Sequence, residues 1–445
     1  MSENPRYSII IPTFERQNLL ANTIKGCLLQ DYDDFEVLVS NNYSQDGTRR
    51  VLDQFISEAR VRVVHTDKKL SMQDHFAFAM KHSRGDYVLV LGDDDGVSPS
   101  IFKIMDEVLT KSNANLVRFK SALYYHNDWL GFEKNTLHFS TKSSGDYFSV
   151  NIDDVIQSYC NFTGYQFFPL LFHSIYKREL ITQVDRVVKH MFVGAPDHSF
   201  PFLLLTQPNA SLCYVDMVLG FGGRSQNSNA AFYGAKEGRT KPNQKRHTEW
   251  ATEMDSNTRL PYHEPNINVP GNFVPAAFSY AKFFFPLRLE PYNLDPFELS
   301  KIIQKDLEEC LCGRRAAWHT SVELENFRKF VTTRLDQSAQ KAIFRLRGSF
   351  STVGKVRMLF KRTYVHIIEI LSRLSIVNIE LNKHTESQRR TFGVRVDLAA
   401  EGILESHELV RHFDDVIRRG QSQGEQPSLQ SSHLGLRLLG RIDAS

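Results

Sequence analysis

The chain has 445 residues, of which 41% are hydrophobic and 24% charged, an ordinary composition for a globular protein that excludes global disorder. Because this length exceeds one typical core, we expect two domains and a tail. The formal charge of +3 gives no overall field that would attract nucleic acid, and the five cysteines lack the spacing of a zinc knuckle or a secreted disulfide framework.

Two features of the sequence bear on its location. The N-terminus lacks the basic and then apolar pattern of a signal peptide, and no apolar run reaches the ~20 residues that a membrane-spanning helix needs. We therefore expect a cytoplasmic protein with reduced thiols.

The first hundred residues repeat one strand-and-helix unit. Short β-rich apolar runs alternate with stretches whose apolar residues recur at helical spacing. The predicted strands are 7–12, 35–39, 61–64 and 87–91, and the predicted helices are 18–29, 48–59 and 71–82, with Thr48 as an N-cap. This alternation predicts an α/β fold with a parallel sheet covered on both faces.

Polar residues follow every predicted strand, at the edge where open parallel sheets bind ligands. Asp93, Asp94 and Asp95 directly follow the fourth strand. Three adjacent carboxylates repel one another, and a hard divalent cation such as Mg²⁺ or Mn²⁺, shared with a diphosphate, relieves that repulsion. The alternative is a solvated acidic turn that caps a helix beginning near residue 99 or 100. The polar ends of the other strands favour the metal site.

Two common phosphate-binding motifs are missing after the first strand. The sequence there is Pro-Thr-Phe-Glu-Arg, with neither a Gly-x-x-x-x-Gly-Lys-Ser/Thr loop nor a Gly-x-Gly-x-x-Gly turn. This argues against an ATPase, a dinucleotide-binding enzyme and a nucleotidyltransferase.

Three segments together resemble the family 2 inverting glycosyltransferases with the GT-A fold. They are 7–16 (YSIIIPTFER), 39–48 (VSNNYSQDGT) and 85–99 (GDYVLVLGDDDGVSP). The resemblance covers roughly residues 6–225 and implies a Rossmann-like, mixed and mainly parallel sheet with helices on both faces. It also implies a nucleotide-sugar donor, with UDP-sugar favoured, and Mn²⁺ or Mg²⁺ as cofactor.

The resemblance also implies roles for individual residues in donor binding. The residues placed beside the nucleotide are Pro12, Thr13 and Glu15 at the nucleoside, Asn41 or Asn42 at the base, and Asp93 at the ribose or phosphate. Asp94 is the favoured metal ligand and Asp95 the alternative one.

An inverting transfer needs one general base to deprotonate the acceptor hydroxyl. Segment 194–198 (GAPDH) precedes an apolar helical run and resembles the family's acidic motif, so Asp197 is the candidate base. The alternative is that Asp197 only caps that helix. His198 is a candidate contact on the acceptor side.

Segment 219–228 (LGFGGRSQNS) has the composition of a mobile loop after a strand at 212–218. Similar loops in the family close over the donor diphosphate, and Arg224 would then neutralise charge on the leaving group. The alternative is a flexible surface connector.

The sequence predicts four regions. Residues 1–225 form the glycosyltransferase domain, 226–294 an irregular lid or linker, 295–420 a helical domain with helices at 322–346, 355–377 and 398–419, and 421–445 a disordered tail. Seven basic and no acidic residues lie between 341 and 362, which suits either peripheral contact with the inner face of a membrane or a solvated helix face. The helical domain is also a candidate for self-association.

Two functions from different classes account for these patterns. The first is a metal-dependent inverting hexosyltransferase that acts on a glycan or lipid-linked acceptor. The second is a non-catalytic nucleotide- or sugar-binding module that scaffolds a partner through its helical domain. Nucleic acid is not expected as a partner.

Overall fold

The computed structural model describes residues 4–129, 133–140, 143–226, 273–311, 321–345, 394–421 and 437–441. The chain forms two compact units. The first, which we call the sheet unit, comprises Met1–His263, Phe273–Asn293 and Gly393–Ser445. The second, the helical unit, comprises Glu264–Asn272 and Leu294–Phe392. None of the helices in the described ranges is long and apolar enough to cross a membrane.

The first four strands and three helices follow the predicted order. They are β1 Tyr7–Thr13, α1 Leu20–Cys27, β2 Phe35–Asn41, α2 Thr48–Asp53, β3 Val61–His65, α3 Met72–His82 and β4 Tyr87–Val90. Helix α2 ends earlier than expected, and its N-cap is Gly47 rather than Thr48, whose backbone N–H donates to Asp46 Oδ1 at 2.9 Å. Helix α3 is capped by Ser71, whose Oγ accepts from the Asp74 N–H.

The sheet unit continues with further strands and helices up to residue 289. They are β5 Gly96–Val97, α4 Ile101–Ser112, β6 Leu116–Tyr125, β7 Thr136–Phe139, β8 Asp146–Val150, α5 Ile152–Cys160, β9 Ser174–Lys177, α6 Arg178–Asp185, α7 Pro196–Leu205, β10 Leu212–Arg224, α8 Phe273–Phe284 and α9 Pro286–Leu289. Helices α8 and α9 lie in the region predicted to be irregular. The prediction was wrong for them because α8 finds apolar partners on α7, such as the Phe202 ring 6.0 Å from that of Phe278.

The described part of the helical unit contains α10 Pro296–Leu311, α11 Ser321–Arg334 and α12 Gln337–Arg345. The sequence predicts one helix over 322–346, but the structure has two. Asp336 separates them and caps the second, since its Oδ1 accepts from the Ala339 N–H at 2.8 Å. The helix predicted at 355–377 and most of the basic stretch 341–362 lie outside the described residues.

The chain then returns to the sheet unit through β11 Val394–Asp397, α13 Ser406–Gln421 and β12 Arg437–Arg441. Strand β11 pairs with β7, and β12 pairs with β8. The structure therefore differs from the predicted helical domain ending at 420 and disordered tail at 421–445. The apolar face of α13, including Val410 and Phe413, packs on Phe221 and Tyr124, partners that only the folded chain provides.

The sheet is mixed, as the resemblance implies, with the strand order β12-β8-β10-β6-β9-β4-β1-β2-β3 and β5, β7 and β11 beside this path. Strands β3, β2, β1 and β4 are parallel to one another, and β10 is parallel to β6. Strand β9 is antiparallel to both β4 and β6 and joins the two parallel parts.

The parallel part of the sheet is buried on both faces. On one face, Tyr7 and Ile9 of β1 pack against α1 and α4, and the Tyr7 and Phe102 rings stack 4.3 Å apart. The intervening residues Ile10 and Leu38 are also buried, and α3 contacts β1 and β2. Burial on both sides explains why these strands are continuous apolar runs rather than alternating ones.

Candidate active site

The carboxyl ends of the first four strands meet at one edge of the sheet. Thr13 of β1 is opposite Asn41 of β2, which is opposite His65 of β3. Strand β4 is in register with β1, and the Leu91 N–H donates to Ile10 O at 2.9 Å. The chain after β4 therefore enters this edge beside the end of β1, and residues 92–95, which we call the aspartate loop, lie there.

The aspartate loop is buried. The exposed fractions of Asp93, Asp94 and Asp95 are 7%, 7% and 8%. Helix α4 begins later, at Ile101, and its N-cap residue Ser100 makes no side-chain capping bond. The interpretation of the aspartates as a solvated turn that caps this helix is therefore wrong.

Asp93 is held by the residues that follow β1. Its Oδ2 accepts a hydrogen bond from Thr13 Oγ1 at 2.8 Å, and its Oδ1 lies 3.1 Å from Arg16 Nε. Both side chains of this ion pair are about nine-tenths buried. Thr23 of α1 fixes the backbone with a hydrogen bond from its hydroxyl to Asp93 O at 2.8 Å. The charge of Asp93 is thus balanced within the protein.

Asp95 joins the loop to β10. Its Oδ2 accepts the Gly92 N–H and its Oδ1 accepts the Gly223 N–H, each at 2.8 Å. Burial raises the pKa of its carboxyl to about 6, against the effect of those two donors. His173 Nε2 is 4.0 Å from Asp95 Oδ2. Asp95 therefore fixes the backbone of the aspartate loop against β10, in addition to adding a carboxylate to the site.

Asp94 has a different environment. Its Oδ2 accepts a hydrogen bond from Ser225 Oγ at 3.0 Å, and its backbone carbonyl lies 2.8 Å from His126 Nε2. Burial and, to a lesser extent, the neighbouring Asp95 raise the pKa of Asp94, while Arg16, His126 and Ser225 partly oppose the rise. Among the described residues its carboxylate forms no salt bridge.

These donors can be tested against the divalent cation that the resemblance implies. The described residues contain no group of three or more His, Cys, Asp or Glu side chains arranged to hold a metal ion. Asp94, a buried carboxylate without an ion pair there, nonetheless suits the single hard oxygen ligand that Mg²⁺ or Mn²⁺ takes from a protein when phosphates and waters complete its shell. The residues fit a metal that is shared with a bound diphosphate.

The turn after β1 has a left-handed residue at the sheet edge. Glu15 has a φ of 55°, and its N–H donates to Ser44 Oγ at 2.9 Å. Tyr43, in the turn after β2, has a φ of 57°. Pro12 is half-buried and paired with Ser40. Non-glycine residues in this conformation concentrate at functional sites.

The side chains of Asn41 and Asn42 are occupied in holding neighbouring loops. Asn41 Oδ1 accepts the Ser44 N–H at 3.2 Å, and its Nδ2 lies 3.2 Å from His65 Nδ1. Asn42 makes two bonds to Leu70, donating to its carbonyl at 3.0 Å and accepting from its N–H at 2.8 Å. Their predicted contact with the base stays a prediction, and the structure adds this second role.

Arg224 is the last residue of β10, and its neighbours Gly223 and Ser225 both bond to the aspartate loop. The prediction of a mobile loop over 219–228 was wrong for residues 219–224, which are strand. The reason is close packing: a Cβ at position 223 would lie 1.9 Å from Asp94 O, so glycine allows the strand to approach the loop.

Asp197 lies in the first turn of α7. The N-cap residue is Ala195, so the interpretation of Asp197 as the cap is not supported. Burial raises the pKa of Asp197 above its ordinary value, with the neighbouring His198 opposing the rise, and burial lowers the pKa of His198. The His198 Nδ1 lies 3.1 Å from the Tyr159 hydroxyl.

A short segment connects Asp197 with the aspartate loop. The Leu171 N–H donates to Asp197 O at 3.4 Å, and Phe172 forms a bridge with Val90 at the end of β4. His173 follows and lies near Asp95. Because two residues span at most about 7 Å, Asp197 and the aspartate loop belong to the same edge of the sheet.

Four side chains at the site were not singled out from the sequence. They are Arg16, His126, His173 and Ser225. Arg16 and Ser225 lie inside segments 7–16 and 219–228, in which the sequence pointed to other residues. His126 directly follows β6. Of the four, it is the residue that its position after a strand could have identified.

Comparison with known protein families gives a match for the first part of the chain. Residues 8–159 match the family described as Glycosyl transferase family 2. The matched segment includes the aspartate loop and ends before Asp197 and Arg224.

Curated relatives of this chain are glycosyltransferases. The GalNAc(5)-diNAcBac-PP-undecaprenol beta-1,3-glucosyltransferase of Campylobacter jejuni is 27% identical over 158 residues, 33% of this chain and 51% of that protein. The putative colanic acid biosynthesis glycosyl transferase WcaA of Escherichia coli is 29% identical over 103 residues, 22% of this chain and 36% of that protein. The chain thus spans about half, or less, of the length of these relatives.

Two solved structures with low similarity to this chain contain nucleotide sugars. S. aureus TarS 1-349 in complex with UDP-GlcNAc has a TM-score of 0.45 at 12% identity, covering 81% of this chain and 92% of that one. Mannosyltransferase PcManGT from Pyrobaculum calidifontis in complex with GDP-Man and Mn²⁺ has a TM-score of 0.38 at 13% identity, covering 81% and 88%. This structural similarity is too low to transfer the role of any residue to this chain.

Proposed function

Because residues 8–159 match glycosyl transferase family 2, we propose that this protein transfers a sugar from a nucleotide-sugar donor, with UDP-sugar favoured, to an acceptor hydroxyl. The main observation behind the proposal is that the aspartate loop is buried and lies beside the end of β1. Within the described ranges Asp94 has one hydroxyl donor and no ion pair, while Asp93 and Asp95 each have two partners, and this arrangement suits a metal-diphosphate group.

We assign the donor side to the ends of β1, β2, β4 and β10. Asp94 would hold Mg²⁺ or Mn²⁺, with Asp95 beside it, and such an ion balances the charge of the diphosphate leaving group. Asp93 faces the nucleotide while Arg16 and Thr13 fix its orientation. Pro12, Thr13, Glu15, Asn41 and Asn42 surround the nucleoside, and Arg224 lies at the diphosphate.

We assign proton removal to Asp197. An inverting transfer needs one base on the face opposite the leaving group, and Asp197 is at the same sheet edge but on a different element, α7. The raised pKa of its carboxyl makes the ionised form a better proton acceptor than an ordinary aspartate. His198, on the same helix turn, is the residue that we assign to the acceptor side.

The proposed class of acceptor is taken from the name of one relative. The name of the Campylobacter jejuni protein specifies a saccharide on PP-undecaprenol, and we propose a glycan or lipid-linked saccharide as acceptor here. A lipid-linked acceptor would bring the protein to the inner face of a membrane, and the basic stretch 341–362 is the candidate contact. Self-association of the helical unit stays a prediction.

The experiment has a binding and a catalytic part. Nucleotide sugars are screened by thermal shift with and without Mn²⁺, and transfer or donor hydrolysis is then measured for Asp197→Asn. We expect metal-dependent donor binding to persist in this variant while turnover falls by about 10²- to 10⁴-fold, the usual contribution of a general base. Asp53→Asn, an exposed aspartate on α2, is the matched control and should behave as wild type.

Two results would count against the proposal. If no nucleotide sugar stabilises the protein with Mn²⁺, the donor site is wrong. If nucleotides bind but the wild type shows no turnover with any donor, the protein is the non-catalytic binding module instead.

A further inference from the structure

Helix α13 is more than 300 residues away in sequence from the aspartate loop, yet it contacts the segment that leaves that loop. The carboxylate of Asp414 accepts one hydrogen bond from Ser98 Oγ at 2.7 Å and another from Ser100 Oγ at 2.9 Å. Ser98 is fully buried, and its N–H donates to Leu219 O of β10 at 2.9 Å. Asp414 therefore holds residues 98–100 against the sheet.

Apolar contacts bring the same helix to the residue next to Asp95. A Cβ at position 96 would lie 3.0 Å from Val410 Cγ2, so the α13 side chain packs directly on Gly96. Phe413, one turn further, packs with its ring 5.8 Å from that of Phe221 of β10. Val410 also approaches α1, 3.0 Å from the Cβ position of Gly26.

The aspartate loop is thus fixed on both sides. Its own residues are bound by the Gly223 N–H, Ser225 and His126. Its exit, residues 96–100, is bound by Asp414 and Val410 of α13. Sub-ångström placement of a ligand side chain depends on such supporting contacts.

We propose that Asp414 is a positioning residue for the donor site. By fixing Ser98 and Ser100 it sets the path of the loop and hence the placement of Asp94 toward the metal-diphosphate group. The inference rests on the proposed function and extends the site to a residue near the other end of the chain. A carboxylate suits this role because its two oxygens accept from two hydroxyls at once.

The test measures binding of UDP, with GDP in parallel, to the full chain by calorimetry with and without MnCl₂. We expect Asp414→Ala to bind UDP without Mn²⁺ as the wild type does and to lose about 10-fold of the Mn²⁺-dependent gain in affinity, roughly 1.4 kcal/mol. Asp415→Ala is the matched control, since this neighbour is exposed and its carboxylate pairs with Arg418, at 3.9 Å, rather than with Ser98 or Ser100. Its Mn²⁺ gain should equal that of the wild type.

A double-mutant cycle identifies the route of the effect. Ser98→Ala with Ser100→Ala should reproduce the loss, and adding Asp414→Ala to that background should change nothing further. If Asp414→Ala fails to fold, Asp414→Asn and Ser100→Ala alone carry the same comparison. A purely structural role would lower the melting temperature and leave the Mn²⁺ gain intact, and that result overturns the inference.

The two proposals fail in distinguishable ways. If the wild type shows no Mn²⁺-dependent binding of either nucleotide, the proposed function is wrong and this inference falls with it. If the wild type shows the gain and Asp414→Ala retains it, only the positioning role is overturned.

Discussion

The three adjacent aspartates at the sheet edge differ in how their charge is balanced. Arg16 pairs with Asp93, two backbone N–H groups bind Asp95, and Asp94 has a single hydroxyl donor on its carboxylate among the described residues. From the sequence, only the resemblance distinguishes the three, with Asp94 as the favoured metal ligand, Asp95 as the alternative and Asp93 at the nucleotide. Their surroundings leave Asp94 as the one whose charge most needs a cation.

A buried histidine makes the fold sensitive to acid. His75 of α3 lies beneath the end of β2, with its Nε2 3.0 Å from Ser40 Oγ and 3.1 Å from Ser40 O. Burial lowers its pKa from 6.5 to about 4, so the folded state favours the neutral ring. Its contribution to stability is complete above pH 6.5 and is lost as pH falls toward 4, because protonation favours the unfolded chain.

We expect this residue alone to lower the free energy of unfolding by about 2 kcal/mol at about pH 5 relative to about pH 7.5. Denaturant unfolding at the two pH values measures the drop. His75→Gln should shrink it, whereas His412→Gln, on the exposed side of α13, should leave it unchanged. An equal drop in wild type and His75→Gln would show that other groups cause the acid sensitivity.

At the scale of elements, β10 is the strand that organises the site. It pairs with β5, β6 and β8, and register shifts between Val215 and Gly220 mark where it bends. Beyond the bend its backbone runs against the aspartate loop. Gly220 and Gly223 of this strand allow close approach to the backbone of Gly96 and Asp94, so a composition typical of a mobile loop here belongs to a fixed strand.

Gly223→Ala tests that account. The added methyl would lie 1.9 Å from Asp94 O, and the contact is with backbone, so the loop or the strand must shift. We expect a loss of about 2 kcal/mol or more in stability and loss of Mn²⁺-dependent nucleotide binding. Melting temperature and calorimetry measure both effects.

Gly222→Ala is the control in the adjacent position, where the new Cβ meets His173 Cε1 at an ordinary 3.4 Å. This variant should keep most of the stability and the nucleotide binding. If both variants behave as wild type, the strand does not fix the loop as described.

At the scale of the whole molecule, the helical unit is formed by two segments inserted in the chain of the sheet unit, Glu264–Asn272 and Leu294–Phe392. The chain returns to the sheet unit at Gly393, and β11, α13 and β12 complete that unit. The donor-site residues all lie in the sheet unit. Binding of a nucleotide at the proposed donor site should therefore stabilise the sheet unit and leave the stability of the helical unit unchanged.

We expect calorimetric unfolding to show two transitions, with UDP and Mn²⁺ raising the midpoint of one only, since a ligand stabilises the fold that binds it. Val331→Ala removes a fully buried side chain of α11 in the helical unit and should lower the other midpoint, at a cost of about 2 kcal/mol. A single transition that responds to both changes would mean that the two units unfold together.

The strands and helices in the first half of the sheet unit could be predicted from local sequence patterns. The order of the first four strands and three helices is confirmed because buried parallel strands are continuous apolar runs and their helices have regular apolar spacing. The position of the aspartates at a strand end followed from the same patterns. Residue roles at the site stay predictions.

Other features needed the folded chain. Helices α8 and α13 and strand β12 lie where the sequence predicts a linker, a separate domain and a tail. The helical pattern of α13 was found as part of the helix predicted at 398–419, but the packing partners of these elements, such as α7 for α8 and β8 for β12, are distant in the chain. Periodicity reports that a face is apolar, and it cannot report what that face packs against.

The sequence by itself determined the resemblance to a family, the α/β alternation and the placement of an acidic cluster after the fourth strand, since these depend on residues near one another in the chain. Only the tertiary structure decided which aspartate is neutralised, why β10 is rich in glycine and that α13 supports the aspartate loop. Those features arise from hydrogen bonds and close packing between segments up to 316 residues apart, as between Ser98 and Asp414.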